Sequence, residues 1–259
     1  MKLWADFHTH TKYSHGTGTI RQNVEVAAKK GLSVIGISEH GPANIGVGTA
    51  PDDFERMREE VEILKSNFAG IRILLGCEAN IISLDGDLDV SDKILSKLDY
   101  VMVGLHPLVW ARSLKNAYYL MIENMLQWRI QWLRTKVTDR NTKALIRAVK
   151  NHKIAIVTHP GLHLPVDTAA LAQIAAQCGT ALEINAGHGY MTEEYVRIAK
   201  KYGVKFAIGS DAHKPSDVGN FKRGLEIAEK AGLTEDDIIN ATRVPEMTII
   251  NLSNIDLHS

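Results

Sequence analysis

Short apolar runs recur along the chain with amphipathic stretches between them, and most of the runs stop at a residue able to hold a proton or a metal. The first is Lys2-Leu3-Trp4-Ala5-Asp6-Phe7-His8-Thr9-His10. Its alternating tail reads as a β-strand, in which residues two apart project to the same side, so His8 and His10 point together. Further runs at 32–38, 71–77, 99–105, 153–158, 180–185 and 204–210 are almost continuously apolar and rich in β-branched residues. Strands covered on both faces by helices have that composition. Between them lie helical patterns: 19–30 carries Val24, Ala27 and Ala28 and stops at Gly31, and a helix from about Asp52 sets Met57, Val61 and Leu64 on one face. The 41–51 loop is rich in Gly and Pro.

Strand and helix alternate about seven times, which predicts a parallel sheet. Six of the seven strands end in His, Asp or Glu: His8 and His10, Glu39-His40, Glu78, His106, His159, then Asp211 and His213. In a closed barrel such ends converge on one face, whereas an open doubly wound sheet gathers them along an edge and suits fewer converging ligands. The expected fold is therefore a single α/β domain over 1–259, a distorted seven-stranded (β/α)7 TIM-like barrel.

One stretch exceeds a minimal repeat. About 45 residues separate His106 from the fifth strand, and Leu114, Tyr118, Met121, Ile122, Met125, Trp132 and Leu133 mark one stripe of a long helix. A second helix, about 139–151, would return to the barrel. This excursion, at about 110–152, is expected to pack on the barrel wall. Its concentration of aromatics (Trp110, Tyr118, Tyr119, Trp128 and Trp132) raises a lid or a contact between copies as the other reading.

Composition narrows the function classes. With 45% hydrophobic and 23% charged residues the chain can bury one substantial core, and 30 basic residues balance 30 acidic ones. A neutral chain has no overall field for a long polyanion, which disfavours nucleic acid against a small ligand. Two cysteines, Cys77 and Cys178, make no disulfide framework and read as small core residues. No leader-like or membrane-spanning run is found, so the expected setting is soluble and cytoplasmic, with no membrane partner.

Together with His15, the strand-end residues make a set of nine: His8, His10, His15, His40, Glu78, His106, His159, Asp211 and His213. Nitrogen and oxygen donors without cysteine suit zinc, manganese or iron rather than calcium or magnesium, and a catalytic rather than a closed structural site. At three to five ligands per ion, two to three divalent metals would fit. Asp6-Phe7-His8-Thr9-His10, Ser38-Glu39-His40, Gly76-Cys77-Glu78, Gly104-Leu105-His106, Thr158-His159-Pro160 and Ser210-Asp211-Ala212-His213 resemble, in order and spacing, the motifs of the PHP family, named for polymerase and histidinol phosphatase. Gly76-Cys77-Glu78-Ala79-Asn80-Ile81, Asp85-Gly86-Asp87-Leu88-Asp89 and Leu182-Glu183-Ile184-Asn185 look most like its stand-alone YcdX-like phosphatases. The resemblance implies a distorted seven-stranded barrel with a trinuclear centre. His8, His10, Glu78 and Asp211 would hold one metal, Glu78, His106 and His159 a second, and His15, His40 and His213 a third. It also implies phosphoester hydrolysis by a metal-bound hydroxide held by Glu78, Asp211, His8 and His10.

Other signals are weaker. Neither cysteine is followed by the arginine of a phosphate-binding thiolate loop, and Gly46-Val47-Gly48 lacks the Lys-Ser/Thr of a P-loop. Asp85, Asp87 and Asp89 begin like a calcium loop, but Val90 and Ser96 stand where its glycine and glutamate belong, so a solvated turn is expected. His152 and His258 read as surface residues, His163 and His188 as residues of the active face that could touch substrate. Arg112 and Lys115 are the basic residues expected to meet a phosphate, and Glu183 with Asn185 could orient a ligand imidazole. The reading is a phosphomonoesterase acting on a small phosphorylated substrate. The alternatives are a 5′–3′ exonuclease or phosphodiesterase on short nucleic acids, and a non-catalytic metal-binding or polymerase-accessory module.

Overall fold

The computed structural model describes residues 1–241. Seven strands form one sheet in the order of the sequence: β1 (Ala5–Asp6), β2 (Val34–His40), β3 (Arg72–Asn80), β4 (Tyr100–Gly104), β5 (Ile156–Val157), β6 (Ala181–Asn185) and β7 (Phe206–Gly209). Each pairs in parallel with its neighbour. The ends meet through an isolated parallel bridge between Thr9 and Ala212, so the barrel closes without a full ladder. A carboxylate completes the seam. Asp6 accepts from the backbone N–H groups of His8 (3.3 Å), Ser210 (3.2 Å) and Gly219 (2.8 Å), tying the start of the chain to both ends of the loop after β7.

Side chains alternate across the strands. Val34, Leu74, Met102, Ile156, Ala181 and Ala207 form an inner cluster with Phe7 and Tyr100. Their neighbours Ile35, Ile73, Val103, Val157, Leu182 and Ile208 join the larger cluster that packs the helices. Above the inner apolar layer comes one of small residues. A Cβ on Gly36 or Gly76 would lie 2.1 or 2.4 Å from the Tyr100 ring system, so both positions need glycine to admit that ring. Tyr100 donates its hydroxyl to the Phe7 carbonyl (2.6 Å) and floors the barrel beneath the polar strand ends.

The helices are α1 (Ile20–Lys29), α2 (Asp53–Asn67), α3 (Asp92–Leu95), α4 (Leu114–Ala117), α5 (Glu123–Leu126), α6 (Gln131–Asn151), α7 (Thr168–Cys178), α8 (Glu193–Lys200) and α9 (Lys222–Lys230). Among the described residues none is long and apolar enough to cross a membrane. Local signals explain several ends: Thr19 and Gln22 make a capping box for α1, and α7 stops at Gly179 with φ 71°.

Four expectations need correction. β1 ends at Asp6, so His8 and His10 lie just beyond the regular strand, on either side of Thr9, whose carbonyl still accepts from Ser38 N of β2 (2.9 Å) while the residue bridges Ala212. The long helix after His106 is broken into α4, a π-helical turn at Tyr118–Ile122, and α5, and α6 already begins at Gln131. Most of its apolar stripe faces outward: Leu114, Tyr118, Ile122, Met125 and Trp132 are exposed, Met121 is half-buried and Leu133 is buried, while Leu120, Glu123, Asn124 and Gln127 are turned in. Cys178 is exposed at the end of α7, unlike buried Cys77. Finally, the 85–89 turn is not uniformly solvated: Asp85 is exposed, but Asp89 is drawn in by the N–H groups of Asn80 and Ala43, each at 2.8 Å. His152 is half-buried, and His258 lies outside the described residues.

Candidate metal centre

All nine predicted donors stand at the C-terminal mouth of the barrel. His8 Nε2 and His10 Nε2 face one another at 3.1 Å, and Asp211 Oδ1 lies 3.5 and 3.3 Å from them. Glu78 occupies the middle. Its Oε1 accepts from Thr158 Oγ1 (2.7 Å) and meets His159 Nε2 (2.8 Å) and His106 Nε2 (3.3 Å). Its Oε2 lies 2.9 Å from His40 Nδ1 and 3.4 Å from His8 Nε2. His15 joins at the rim, its ring centroid 4.1 Å from that of His213 and 4.9 Å from that of His40. Among the described residues three donor sets have all their atoms within 4.8 Å of one another: His8–His10–Asp211, His40–Glu78–His106 and His10–His40–His213.

The donor chemistry fits metal ions. Glu78 Oε2, His40 Nδ1, His10 Nδ1 and His106 Nε2 are buried without a hydrogen-bond partner, although Glu78 Oε2 and His40 Nδ1 stand 2.9 Å apart. A buried lone pair facing another lone pair is costly, and a cation placed between them relieves it. Protonation preferences point the same way. Burial disfavours charge on Glu78, but the imidazoles of His106, His40, His8 and His159 hold its carboxyl well below the usual carboxylate range. Asp211, likewise buried, is held low by His8, His10 and His188. Burial lowers His40 to about 3 and His15 to about 4, keeping both neutral as a ligand must be.

Behind the donors stands a ring of orienting groups. Burial alone would lower His8, yet Glu183, Asp211 and Glu78 raise it well above its ordinary value. Glu183 Oε1 sits 2.6 Å from His8 Nδ1, while its Oε2 accepts from His159 N (2.9 Å) and Asn185 Nδ2 (3.2 Å). Asn185 also donates to Asp211 Oδ2 (3.0 Å). Glu39, absent from the predicted set, is buried and accepts from Thr11 N (2.8 Å), Thr11 Oγ1 and Ser14 Oγ, which fixes the loop leading to His15. Its position one residue before His40 was its only signal in the sequence. Two of the predicted donors are strained: His159 and Asp211 have φ of 27° and 53°, left-handed values that cost a non-glycine residue energy and cluster at functional sites.

The expected substrate contacts fare unequally. His188 is at the site, its Nε2 3.1 Å from Asp211 Oδ2. His163 is exposed in the loop after β5 with φ 62°. Arg112 is exposed and pairs with Asp87 (2.6 Å), and Lys115 is exposed on α4. Other basic residues come nearer: Lys222 and Arg223, together with the acidic Asp217 and Glu226, line a cavity of about 500 Å³ that reaches Asp211, Ser210 and Gly187. The basic pair opens α9, a position that reading strand ends alone cannot reveal.

Comparison with known proteins agrees with this layout. The PHP domain model matches residues 6–186 and the PHP-associated model residues 193–244. A protein of Thermoanaerobacter sp. (strain X514) named a probable phosphatase is 34% identical over 250 residues, covering 93% of this chain and 91% of that one. Another so named, from Shewanella oneidensis, is 31% identical over 262 residues, covering 97% and 93%. The histidinol phosphate phosphatase of Lactococcus lactis, solved with zinc, L-histidinol and phosphate, superposes with a TM-score of 0.59 at 15% identity, covering 90% of this chain and 95% of its own. With the family model spanning most of the chain and the barrel assembling every motif at one mouth, the chain belongs to the PHP family.

Proposed function

We propose that the chain is a metal-dependent phosphoesterase, and specifically a phosphomonoesterase for a small phosphorylated molecule. The observation that carries this reading is the group of buried, unpartnered donors around Glu78 in a mouth that also holds His188, Lys222 and Arg223. His8, His10 and Asp211 form one ligand set, and Glu78 shares its two oxygens between that set and His40, His106 and His159. His15 and His213 complete a third with His10 and His40. Two to three zinc, manganese or iron ions would fill these sets. When bound, such ions lower the pKa of water to yield a nucleophile near neutral pH and stabilise charge on the phosphoryl oxygens. The protein's own part is positional: Glu183, Asn185 and Glu39 hold the ligands, and Lys222 and Arg223 offer positive charge to the ester beside Asp211. The half-exposed imidazole of His188 is placed to pass a proton to a leaving oxygen. The two free cysteines suit a cytoplasmic enzyme.

A hydrolysis panel tests the reading: histidinol phosphate, sugar phosphates, nucleotides and short oligonucleotides, each with zinc, manganese and iron, alongside elemental analysis of the protein. Turnover of monoesters with two to three ions per chain is expected. Activity confined to oligonucleotides, falling steeply with salt, would instead favour an exonuclease, which the neutral charge disfavours.

A further inference from the structure

His106 is the one imidazole of the Glu78 cluster that is oriented by an amide. Its Nδ1 lies 2.6 Å from Asn80 Oδ1. An amide presents an oxygen on one side and two donors on the other, so which end faces His106 decides the tautomer of the ring. The surroundings of Asn80, itself fully buried, settle which end that is. Its Nδ2 donates to Asp89 Oδ2 (2.5 Å) and to the Gly41 carbonyl (3.2 Å), two groups that only accept. Oδ1 is therefore turned to His106, whose Nδ1 must carry the proton. The lone pair is left on Nε2, the buried and unpartnered atom 3.3 Å from Glu78 Oε1.

Asp89 is itself held in one position. It accepts from Asn80 N and from Ala43 N, both at 2.8 Å, and a Cβ on Gly41 would stand 2.3 Å from each of its oxygens. Gly41 follows His40, and its own N–H donates to the Glu78 carbonyl (2.9 Å). The carboxylate thus sits between the two strands that bring His40 and Glu78, and acts on a third through Asn80. We propose that Asp89 is a positioning residue that fixes the ligand tautomer of His106 through the Asn80 amide. Asp89→Asn would put an NH2 where a carboxylate oxygen accepts, against Asn80 N on one side or against Ala43 N and Asn80 Nδ2 on the other. In either arrangement the charged acceptor that fixes the Asn80 amide is lost, and the Nε2–H tautomer of His106, which puts the ring proton on the coordinating atom, becomes populated.

The inference rests on the metal-centre reading, and its test separates the two. Nitrogen-15 NMR of the chelator-treated full chain should show His106 protonated at Nδ1. Zinc titration against a chromophoric chelator should show Asp89→Asn binding its weakest ion about 10- to 100-fold less tightly, the loss usual for a removed outer partner, with the Nε2–H tautomer of His106 now populated beside the Nδ1–H one. Gly41→Ala, which displaces Asp89 by its methyl group alone, should reproduce the zinc loss should Asp89→Asn fail to fold. Asp85→Asn, on the exposed part of the same turn, should bind zinc like the parent. An Nε2–H tautomer in the parent chain, or parental zinc affinity in folded Asp89→Asn, overturns the role of Asp89 while leaving the metal centre standing. A parent chain that takes up no zinc, manganese or iron overturns the metal centre, and the role with it.

Discussion

The barrel mouth and the 110–152 excursion both break the rule that apolar residues go inside, but they break it differently. At the mouth, Glu78, His10, His40 and His106 each carry a buried side-chain atom without a hydrogen-bond partner. In the excursion the polar face of α5 is turned in and the apolar face out. There Asn124 and Asn141 exchange amide hydrogen bonds at 3.1 and 2.8 Å and Glu123 pairs with Arg140, while the amide of buried Gln127 stands alone without a partner. Arg134 and Lys136 lie over the outward rings of Trp128 and Trp132. What separates a site from a scaffold is convergence: at the mouth the unmatched atoms are imidazole nitrogens and a carboxylate oxygen gathered within reach of one ion, whereas in the excursion a single neutral amide is left over among paired groups that fix packing.

The strongest way to break this contrast is to remove the central carboxylate. Glu78→Ala should lower kcat/KM on the order of 10³-fold or more, since a shared ligand supports several kcal/mol of charge stabilisation. Circular dichroism should still show a folded chain. Near-parental turnover would mean that the unmatched donors are not the site.

Acidity provides the next test. In the metal-free chain, burial tends to lower His10, but Asp211 and Glu39 raise it to about 9. A folded-state value above the unfolded 6.5 stabilises the fold below pH 6.5, and that contribution is lost as pH rises through about 9. His15 and His40, lowered to about 4 and 3, act oppositely and withdraw stability as pH falls from 6.5 toward those values. The Tm of chelated protein should therefore peak near pH 6.5 and decline toward pH 9. Added zinc should reverse the alkaline decline, because binding displaces the protons of His8 and His10. A metal-free Tm that climbs steadily from pH 6.5 to 9 would contradict these assignments.

In the excursion the effects should be confined to stability. Asn141→Leu leaves Asn124 and the Pro165 carbonyl without their partner, which costs about 1–3 kcal/mol by denaturant melt with zinc uptake unaltered. Trp132→Gln, at a side chain 67% exposed, should change stability by no more than about 0.5 kcal/mol. A larger loss, or an altered sedimentation coefficient, would show that the outward face is covered in solution.

The ligands are legible in the sequence because a parallel barrel turns chain order into geometry: wherever an apolar run stops, the next side chain stands at the mouth. His40 and His213 are as readable as Glu78 for that reason, whereas His15 lies in a turn beyond His10 and is carried by the family motif instead. What the local pattern cannot supply is direction around a helix and partners far along the chain. Periodicity finds the stripe through Leu114, Tyr118 and Met125, but has no term for which side meets the barrel. Asp89 looks like a turn residue because its partner Ala43 is 46 residues away. Lys222 and Arg223 escape notice because a helix start carries no strand-end signature, while Arg112, which follows one, is engaged by Asp87.

The seam sets the timing of the site. Asp6 and Ser210, which its carboxylate joins, are 204 residues apart, and His8 can meet Asp211 only when nearly the whole barrel has been made. Contacts of such sequence separation form late, after the local βα units have paid most of their loop-closure entropy. A nascent chain emerging from the ribosome therefore carries His8, His10 and Glu78 long before it carries Asp211. The full set of predicted donors is on hand only once the chain has been made through His213, so metal uptake by that set can follow only after nearly all of the barrel exists.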